Sequence, residues 1–259
     1  MNARVASMLT TPVKGLRVVE RSEIELGPAG VQENRRFFLI DGEGRMLNGK
    51  QLGSLQAVVA DYSTSERTLA LSIPGQPEVR GVVETGAAVN VRFFSSEVEG
   101  REALGPWSEA LSVFAGQPLR LIENDPGQSG VDRREGGPVS IVSTASLERL
   151  AEQGDLEAPI DARRFRMLIE VDGTEAHAED GWLGRRVRIG EAVVQPRGHV
   201  GRCATTQRDP ETGVTDLLTL KLLAEYRRDL DTTEPLACGI YGVVLEPGTV
   251  RVGDAVELI

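Results

Sequence analysis

The chain has 259 residues, enough for one large domain or two smaller ones, and 40% of them are hydrophobic while 26% are charged. This composition excludes a wholly disordered protein, and the formal net charge of −10 argues against nonspecific binding of nucleic acid. The 29 lysines and arginines still leave room for a local basic pocket. No window reaches the roughly 18 apolar residues of a membrane span. The first residues lack an apolar signal core, so we predict a cytoplasmic protein without a membrane span.

The first part of the chain, residues 1–95, has the pattern of an all-β domain. Strand-like runs separated by Gly and Pro turns lie at residues 4–9, 18–26, 36–40, 57–62, 68–73 and 79–84. Many short strands at this spacing predict a small β-barrel or sandwich. We place a linker at residues 95–106, so that the predicted division falls between residues 95 and 96.

The second part, residues 96–259, predicts another β-rich domain with a few helices. The helical patterns lie at residues 108–114, 144–150 and 217–228, and the strand patterns at residues 118–122, 139–142, 164–171, 182–190, 192–196, 239–245, 248–252 and 255–259. A hairpin is expected around Gly253 and Asp254. Residues 124–138, rich in Gly, Asp and Arg, predict a mobile surface loop. The predicted fold class is therefore mainly β with a few α-helices.

Reactive side chains concentrate at residues 198–213, which turn-forming residues at both ends mark as a loop. Its cysteine, Cys203, lies near Arg202 and Arg208, and positive charge favours thiolate, the form that attacks electrophiles and binds soft metals. An inert, buried, apolar cysteine explains the local sequence equally well. A nucleophilic pair of Cys203 with His199 also stays open.

Several other kinds of site are excluded. The chain contains two histidines, His177 and His199, which cannot build a multi-histidine metal site. It has no GxxxxGK[ST] phosphate loop, no GxGxxG opening a helix and no GxSxG elbow. Two cysteines are too few for a disulfide framework or a structural zinc site. We expect both cysteines to be reduced, and a single disulfide between Cys203 and Cys238 remains an alternative.

Basic residues lie beside otherwise apolar strands and turns. Taken singly, each is explained as a solvated strand end or a side chain that reaches to solvent. Brought together by the fold beside the loop cysteine, they would form an anion-binding pocket, because guanidinium groups pair bidentately with phosphate. The residues concerned are Lys14, Arg35, Arg36, Arg163, Arg164, Arg166 and Arg202.

Three separated sets of motifs together resemble the MOSC family, the molybdenum-cofactor-sulfurase C-terminal domains, preceded by the β-barrel domain that often accompanies them. PVKG at residues 12–15 and NRRFFLID at residues 34–41 resemble the barrel motifs. STASL at residues 143–147 and DARRFR at residues 161–166 resemble the start of the MOSC domain, and GRCATTQRDPETG at residues 201–213 resembles its cysteine motif. The resemblance extends to the mitochondrial amidoxime-reducing components and their bacterial counterparts. It implies a small N-terminal β-barrel-like domain followed by a β-rich MOSC barrel domain.

The same resemblance implies a bound molybdenum cofactor, a molybdopterin. It makes Cys203 the catalytic residue and the metal ligand, through its thiolate. The residues that it implies for binding the rest of the cofactor are Lys14, Arg36, Ser143, Thr144, Arg166, Arg202, Thr205 and Thr206. Gly15 and Leu168 stand where the family commonly has other residues, Ser and Asn.

Three hypotheses about function follow. In the first, the protein is an oxidoreductase that reduces N-hydroxylated small molecules with electrons from a separate ferredoxin- or cytochrome-like protein. In the second, it is a carrier that catalyses no reaction of its own. It carries either the cofactor or only sulfur, held as a Cys203 persulfide in a process that does not need pyridoxal phosphate. In the third, Cys203 is a packing residue and the pocket has no ligand. The first is the favoured prediction.

Overall fold

The computed structural model describes residues 2–47, 49–93, 96–124 and 136–259. The loop predicted for residues 124–138 lies largely at 125–135, outside the described residues. None of the helices in the described part of the chain is long and apolar enough to cross a membrane.

An eight-stranded sheet forms the larger part of the fold. Its first core contains buried aliphatic side chains such as Met8, Ile141, Ile169 and Val187. Their contact with one another removes apolar surface from water, which stabilises the sheet. The strands in spatial order are β18 (Val256–Leu258), β14 (Val187–Ile189), β15 (Ala192–Gly201), β16 (Ala237–Glu246), β12 (Val139–Ser143), β13 (Ile169–Asp172), β1 (Arg4–Thr10) and β2 (Val19–Glu20).

Three smaller sheets complete the β structure of the described residues. The five-stranded sheet has the order β5 (Met46–Leu47), β4 (Phe37–Asp41), β11 (Leu119–Asn124), β10 (Ser96–Leu104) and β9 (Glu84–Phe93). The three-stranded sheet contains β6 (Val59–Ser63), β7 (Thr68–Ser72) and β8 (Val79–Val82), and the two-stranded sheet pairs β17 (Gly248–Arg251) with β3 (Glu23–Leu26).

Three α-helices accompany these sheets in the described part of the chain. Helix α1 (Trp107–Ala115) places the fully buried Trp107 in the second core, where the indole Nε1 donates to the Leu69 carbonyl at 3.1 Å. Helix α2 spans Thr144–Gln153, and Ser143 is its N-cap. The Ser143 side chain accepts a hydrogen bond from the Ser146 backbone N–H. Helix α3 is Thr219–Tyr226, and short 3₁₀ turns span Gly53–Ala57, Ala162–Arg164, Ala178–Trp182 and Ala204–Gln207.

Several local predictions are wrong. The linker predicted at residues 95–106 contains strand β10, which pairs with β9 and β11. The strand predicted at residues 164–171 begins only at Ile169, because a 3₁₀ turn and the positive φ of Arg166 (55°) precede it. The single strand predicted at residues 18–26 is divided into β2 and β3. The hairpin expected around Gly253 does not form, since β17 pairs with β3 and β18 with β14.

The two largest sheets each take strands from both sides of residue 95. Strand β1 pairs with β13 in the large sheet, and β4 pairs with β11 in the five-stranded sheet. The turn after β1 is tied to the start of β4, because the Lys14 backbone N–H donates to the Phe37 carbonyl at 2.8 Å. The division between residues 95 and 96 stays a prediction. This arrangement brings the segments next to β1, β4, β13 and β15 to one place, where the candidate site lies.

Candidate cofactor-binding site

The candidate site is a cavity of about 420 Å³ lined by segments from both halves of the chain. Among the described residues its lining includes no carboxylate, although the whole protein carries a net charge of −10. Such a cleft concentrates positive potential and attracts anions. An apolar wall of Pro138, Phe165, Met167, Leu168 and Val200 completes it. The basic lining residues are Lys14, Arg35, Lys50, Arg164, Arg166 and Arg202.

Cys203 lies just beyond the end of strand β15, at the start of the 3₁₀ turn Ala204–Gln207. Its carbonyl accepts from the backbone N–H and from the hydroxyl of Thr206, both at 3.1 Å. The buried Thr206 hydroxyl is also 2.6 Å from Thr219 Oγ1 at the start of helix α3. These bonds hold the backbone of Cys203 in place while its side chain stays exposed in the cavity.

The thiol of Cys203 has a pKa below its ordinary value. Partial burial of the sulfur is the largest influence and raises the pKa, but hydrogen bonds from the side chain and backbone of Thr205 and the charges of Arg202 and Lys50 outweigh it. The Thr205 hydroxyl oxygen is 3.4 Å from the sulfur. A lowered pKa increases the thiolate fraction at neutral pH, so Cys203 is suited to bind a soft metal or to act as a nucleophile.

Three arginines are anchored on main-chain carbonyls around the cavity. Arg35 Nη2 donates to the carbonyl of Arg166 at 2.8 Å, and Arg166 Nη2 donates to the carbonyl of Leu16 at 2.7 Å. Arg202 donates to the Phe165 carbonyl, and its guanidinium lies over the Phe165 ring, 4.8 Å from the centroid. These bonds fix the positions of the three guanidinium groups at the wall of the cavity.

Arg35 and Arg166 have lowered pKa values and unusual backbone conformations. Burial, followed by the nearby charges of Arg166 and Arg202, lowers the pKa of Arg35 to about 9. Burial also lowers the pKa of Arg166 to about 10, against an opposing effect of Cys203. Both residues have positive φ, 53° and 55°, a region that side-chain-bearing residues rarely occupy. Strain and clustered like charge of this kind are concentrated at functional sites.

Arg164 lines the same cavity, but its charge is already neutralised. Its Nη1 and Nη2 donate to the two carboxylate oxygens of Asp216 at 2.6 and 2.7 Å. This bidentate pair joins the turn before β13 to the end of the cysteine loop. We therefore assign Arg164 to holding the loop rather than to binding a ligand.

A turn from the first half of the chain packs directly on the cysteine loop. A Cβ at Gly49 would lie 3.2 Å from the Thr205 methyl, so glycine permits this close approach. Arg208 bridges the two segments, because its Nη1 donates to the Gly213 carbonyl at 2.8 Å and its Nη2 to the Lys50 carbonyl at 3.1 Å. The position of Thr205 thus depends on both halves of the chain. Because Thr205 contacts the sulfur of Cys203, the environment of that cysteine depends on both halves as well.

The structure brings six of the predicted site residues into one cavity lining and leaves three outside. Gly15 and Leu168, at the positions that depart from the family pattern, line it as well. A role in cofactor binding stays a prediction for the six, which are Lys14, Arg166, Arg202, Cys203, Thr205 and Thr206.

The prediction that Arg36 faces the ligand needs correction, because the arginine that lines the cavity is Arg35. Arg36 is 7% exposed, and its guanidinium donates to Glu123 Oε1 at 3.0 Å. Glu123 is 3% exposed and is also paired with Arg67 at 3.0 Å. Arg36 is therefore part of a buried ion-pair network away from the cavity.

Ser143, Thr144 and His199 also lie outside the described lining. Ser143 is fully buried as the cap of helix α2, and the Thr144 hydroxyl donates to Glu170 Oε1 at 3.4 Å. His199 lies within strand β15, 7% exposed, with its Nε2 3.3 Å from Asp180 Oδ1. The structure therefore gives no support to a Cys203–His199 pair. Cys203 and Cys238 are both free thiols.

Two basic residues of the lining, Arg35 and Lys50, are not among the cofactor-binding residues that the family resemblance implies. Arg35 belongs to the predicted set of basic residues, but it lies in a turn with a φ of 53°, so strand alternation does not indicate which of the two adjacent arginines faces the cavity. Lys50 follows strand β5 in a turn, and its proximity to Cys203 arises only from the packing of the two halves.

Two family models match the chain, the MOSC N-terminal beta barrel domain over residues 2–117 and the MOSC domain over residues 128–257. The chain therefore belongs to the MOSC domain family, with an N-terminal β-barrel domain followed by a MOSC domain. This confirms both the family and the mainly β fold class predicted from the sequence.

Three related proteins can be aligned in sequence with nearly the whole chain. It is 30% identical over 287 residues to mitochondrial amidoxime-reducing component 1 of Homo sapiens, covering 98% of this chain and 82% of that protein. The corresponding protein of Mus musculus is 27% identical over 284 residues, with the same coverage. A molybdenum cofactor sulfurase of Caenorhabditis briggsae is 26% identical over 265 residues, covering 98% of this chain but 36% of that protein.

Proposed function

We propose that the protein binds a molybdenum cofactor in this cavity and reduces N-hydroxylated small molecules. The observation that carries the proposal is the exposed thiol of Cys203, with its lowered pKa, in the same cavity as the strained arginines Arg35 and Arg166. The names of the relatives, amidoxime-reducing components and a molybdenum cofactor sulfurase, support the choice of cofactor and reaction.

The residues of the cavity fit such a cofactor. The Cys203 thiolate is a soft ligand of the kind that transition metals accept, and Arg35 and Arg166 present planar donors that suit a phosphate. An anionic group there would offset both the burial and the repulsion by Arg166 and Arg202, which together lower the pKa of Arg35. When bound, the cofactor supplies two-electron redox chemistry at its metal.

The protein itself orients the reactants and controls their environment. Burial raises the pKa of Cys203, but the Thr205 hydrogen bonds and the charge of Arg202 help to lower it below its ordinary value. The Thr206 bonds hold the backbone of Cys203. Phe165, Met167 and Val200 form an apolar wall that excludes water and accepts the carbon skeleton of a substrate. Reduction of an amidoxime to an amidine and water breaks the N–O bond and consumes two electrons and two protons.

The electrons come from another protein in this proposal. The chain's two cysteines are too few to hold an iron–sulfur cluster, so a ferredoxin- or cytochrome-like donor has to supply them. The cytoplasmic location stays a prediction.

Turnover tests the proposal directly. Protein purified from a host that makes the molybdenum cofactor is expected to convert benzamidoxime to benzamidine with reduced methyl viologen as the artificial donor. Product is measured by chromatography, with Cys203→Ala protein as the control. Wild-type protein that contains molybdenum but forms no more benzamidine than the control would contradict the proposed reductase.

A second candidate function is a carrier of the cofactor or of sulfur. It is favoured by the exposure of Cys203, because an exposed thiol can pass a persulfide sulfur to a partner. Tight cofactor binding without turnover would support the cofactor carrier, and a cyanide-releasable sulfur on Cys203 without bound molybdenum would support the sulfur carrier.

A further inference from the structure

The end of the cysteine loop, residues 208–213, packs directly on the 3₁₀ turn Gly53–Ala57 from the first half of the chain. A Cβ at Gly213, which has a φ of 73°, would collide with the Gly53 carbonyl oxygen. A Cβ at Gly53 would in turn lie 2.5 Å from the Gly213 carbonyl oxygen. Because only glycine allows so close an approach, the two halves of the chain are in direct main-chain contact here.

Arg208 ties the cysteine loop to the first half beside this contact. Its Nη1 donates to the Gly213 carbonyl at 2.8 Å in its own loop, and its Nη2 donates to the Lys50 carbonyl at 3.1 Å across the contact. A guanidinium is suited to this task, because its planar fork can hold two acceptors at once.

Arg17 makes the reciprocal connection from the first half. Its Nε donates to the Gln56 carbonyl at 3.1 Å in its own half, and its Nη2 donates to the Glu211 carbonyl at 2.7 Å in the cysteine loop. Each half therefore contributes one arginine that bonds main-chain carbonyls on both sides. We call Arg17 and Arg208 the arginine bracket.

The arginine bracket is connected to Cys203 through Thr205. Arg208 directly follows the 3₁₀ turn Ala204–Gln207, and its backbone N–H donates to the Thr205 carbonyl at 3.2 Å. The turn that Arg208 holds in the first half includes Gly49, where a Cβ would lie 3.2 Å from the Thr205 methyl. The Thr205 hydroxyl oxygen is 3.4 Å from the Cys203 sulfur. The bracket thus holds both segments that confine Thr205 beside the thiol.

We propose that Arg17 and Arg208 are positioning residues that hold the two halves of the chain together at the cavity and thereby fix the surroundings of Cys203. Neither residue belongs to the described lining of the cavity, so both act through other residues. The effect on the thiol is independent of any ligand. The effect on cofactor release rests on the proposed function, in which the cofactor lies between the two halves that the bracket keeps closed.

The first test is the pH profile of iodoacetamide alkylation at Cys203 in cofactor-free protein, followed by mass spectrometry. Arg17→Met and Arg208→Met should each move the midpoint upward by about half a pH unit, because a loosened Thr205 bonds the sulfur less well. Arg208→Lys should resemble Arg208→Met, since an ammonium lacks the planar fork. Arg188→Met, which removes an exposed arginine of strand β14, is the control of equal charge and should keep the wild-type midpoint.

Three results of this test would overturn the proposal. The first is a wild-type midpoint in both Arg17→Met and Arg208→Met. The second is a wild-type midpoint in Arg208→Lys beside a shifted one in Arg208→Met, which would indicate an effect of charge alone. The third is alkylation of the buried Cys238 as fast as that of Cys203, because the arginines would then support the whole fold rather than the cavity.

The second test measures how fast cofactor-loaded protein releases its pterin, by fluorescence of the filtrate. The double variant Arg17→Met and Arg208→Met should release it about tenfold faster than wild type, while Arg188→Met should match wild type. Equal release rates would contradict the role of the arginine bracket in retention. Wild-type protein that acquires no molybdenum would contradict the proposed function instead, and the alkylation profile would still decide the role of the bracket.

Discussion

Arg35→Met is expected to make the cofactor-free protein more stable and, at the same time, to lower its retention of the pterin cofactor about tenfold or more. Arg35 is a desolvated charge repelled by Arg166 and Arg202. Removing a charge that is desolvated and repelled should raise the stability of the cofactor-free protein, and this gain is expected to exceed the loss of the single bond to the Arg166 carbonyl. The same charge is one that a phosphate needs, so its loss weakens the cofactor complex.

The adjacent Arg36→Met is the matched control, and its expected effect has the opposite sign. It removes the buried partner of Glu123 and leaves the more exposed Arg67 paired with this carboxylate. An unfolding free energy about 2 kcal/mol or more below wild type is expected in urea denaturation. Destabilisation of equal size in both variants would contradict the assignment of Arg35 to the cavity and Arg36 to the ion-pair network.

The stability difference for Arg35 also depends on pH. The folded-state pKa of about 9 lies below the ordinary 12.5, so the unfolded chain holds this proton more tightly. The destabilisation by Arg35 is therefore fully present at pH 7 and decreases as the pH rises above about 9. The advantage of Arg35→Met over wild type should narrow over that range, as measured by urea midpoints between pH 7 and pH 10.

In cofactor-free protein, iodoacetamide is expected to modify Cys203 about 100-fold or more faster than Cys238 at pH 7.5. Cys203 is exposed and has a lowered thiol pKa, whereas burial raises the pKa of the Cys238 thiol to about 12. Each unit of pKa changes the thiolate fraction about tenfold in this range. Cys238 is a buried thiol in the same folded chain, so its alkylation rate is the internal control for the rate measured at Cys203.

Thr205→Val tests the cause of that reactivity. It removes the hydroxyl that bonds the sulfur with little change in volume, so the thiol pKa should rise and the alkylation rate at pH 7.5 should fall. The measurement is the pH profile of alkylation, followed site by site with mass spectrometry. Similar rates for the two cysteines would favour the interpretation of Cys203 as an inert packing residue.

The sequence motifs predict the part of the site that is built locally. One short segment, residues 202–206, contains Arg202, Cys203, Thr205 and Thr206. Lys14 follows the end of strand β1 by four residues. Because each group is local in sequence, a motif is enough to identify it. The strand order could not be predicted, because the pairing of β1 with β13 joins residues more than 160 positions apart.

The errors have specific physical causes. Arg36 was predicted to face the ligand, but its face is decided by the positive φ of Arg35 and by Glu123, a partner 87 positions away. The largely polar sequence of strand β10, SEVEGREAL, favours a linker, although Val98 and Ala103 are buried in the structure. Such polar strands are recognised only once their neighbours are known.

Metal analysis is the most direct test of the claim that Cys203 and the arginine-lined cavity hold a molybdenum cofactor. Wild-type protein, Cys203→Ala and Cys238→Ala are purified from a host that makes the cofactor, and molybdenum is measured by mass spectrometry and pterin by fluorescence. We predict close to one molybdenum and one pterin per chain for wild type and Cys238→Ala, and at least about a tenfold loss of molybdenum for Cys203→Ala. Wild-type protein without molybdenum, or full molybdenum loading in Cys203→Ala, would contradict the claim.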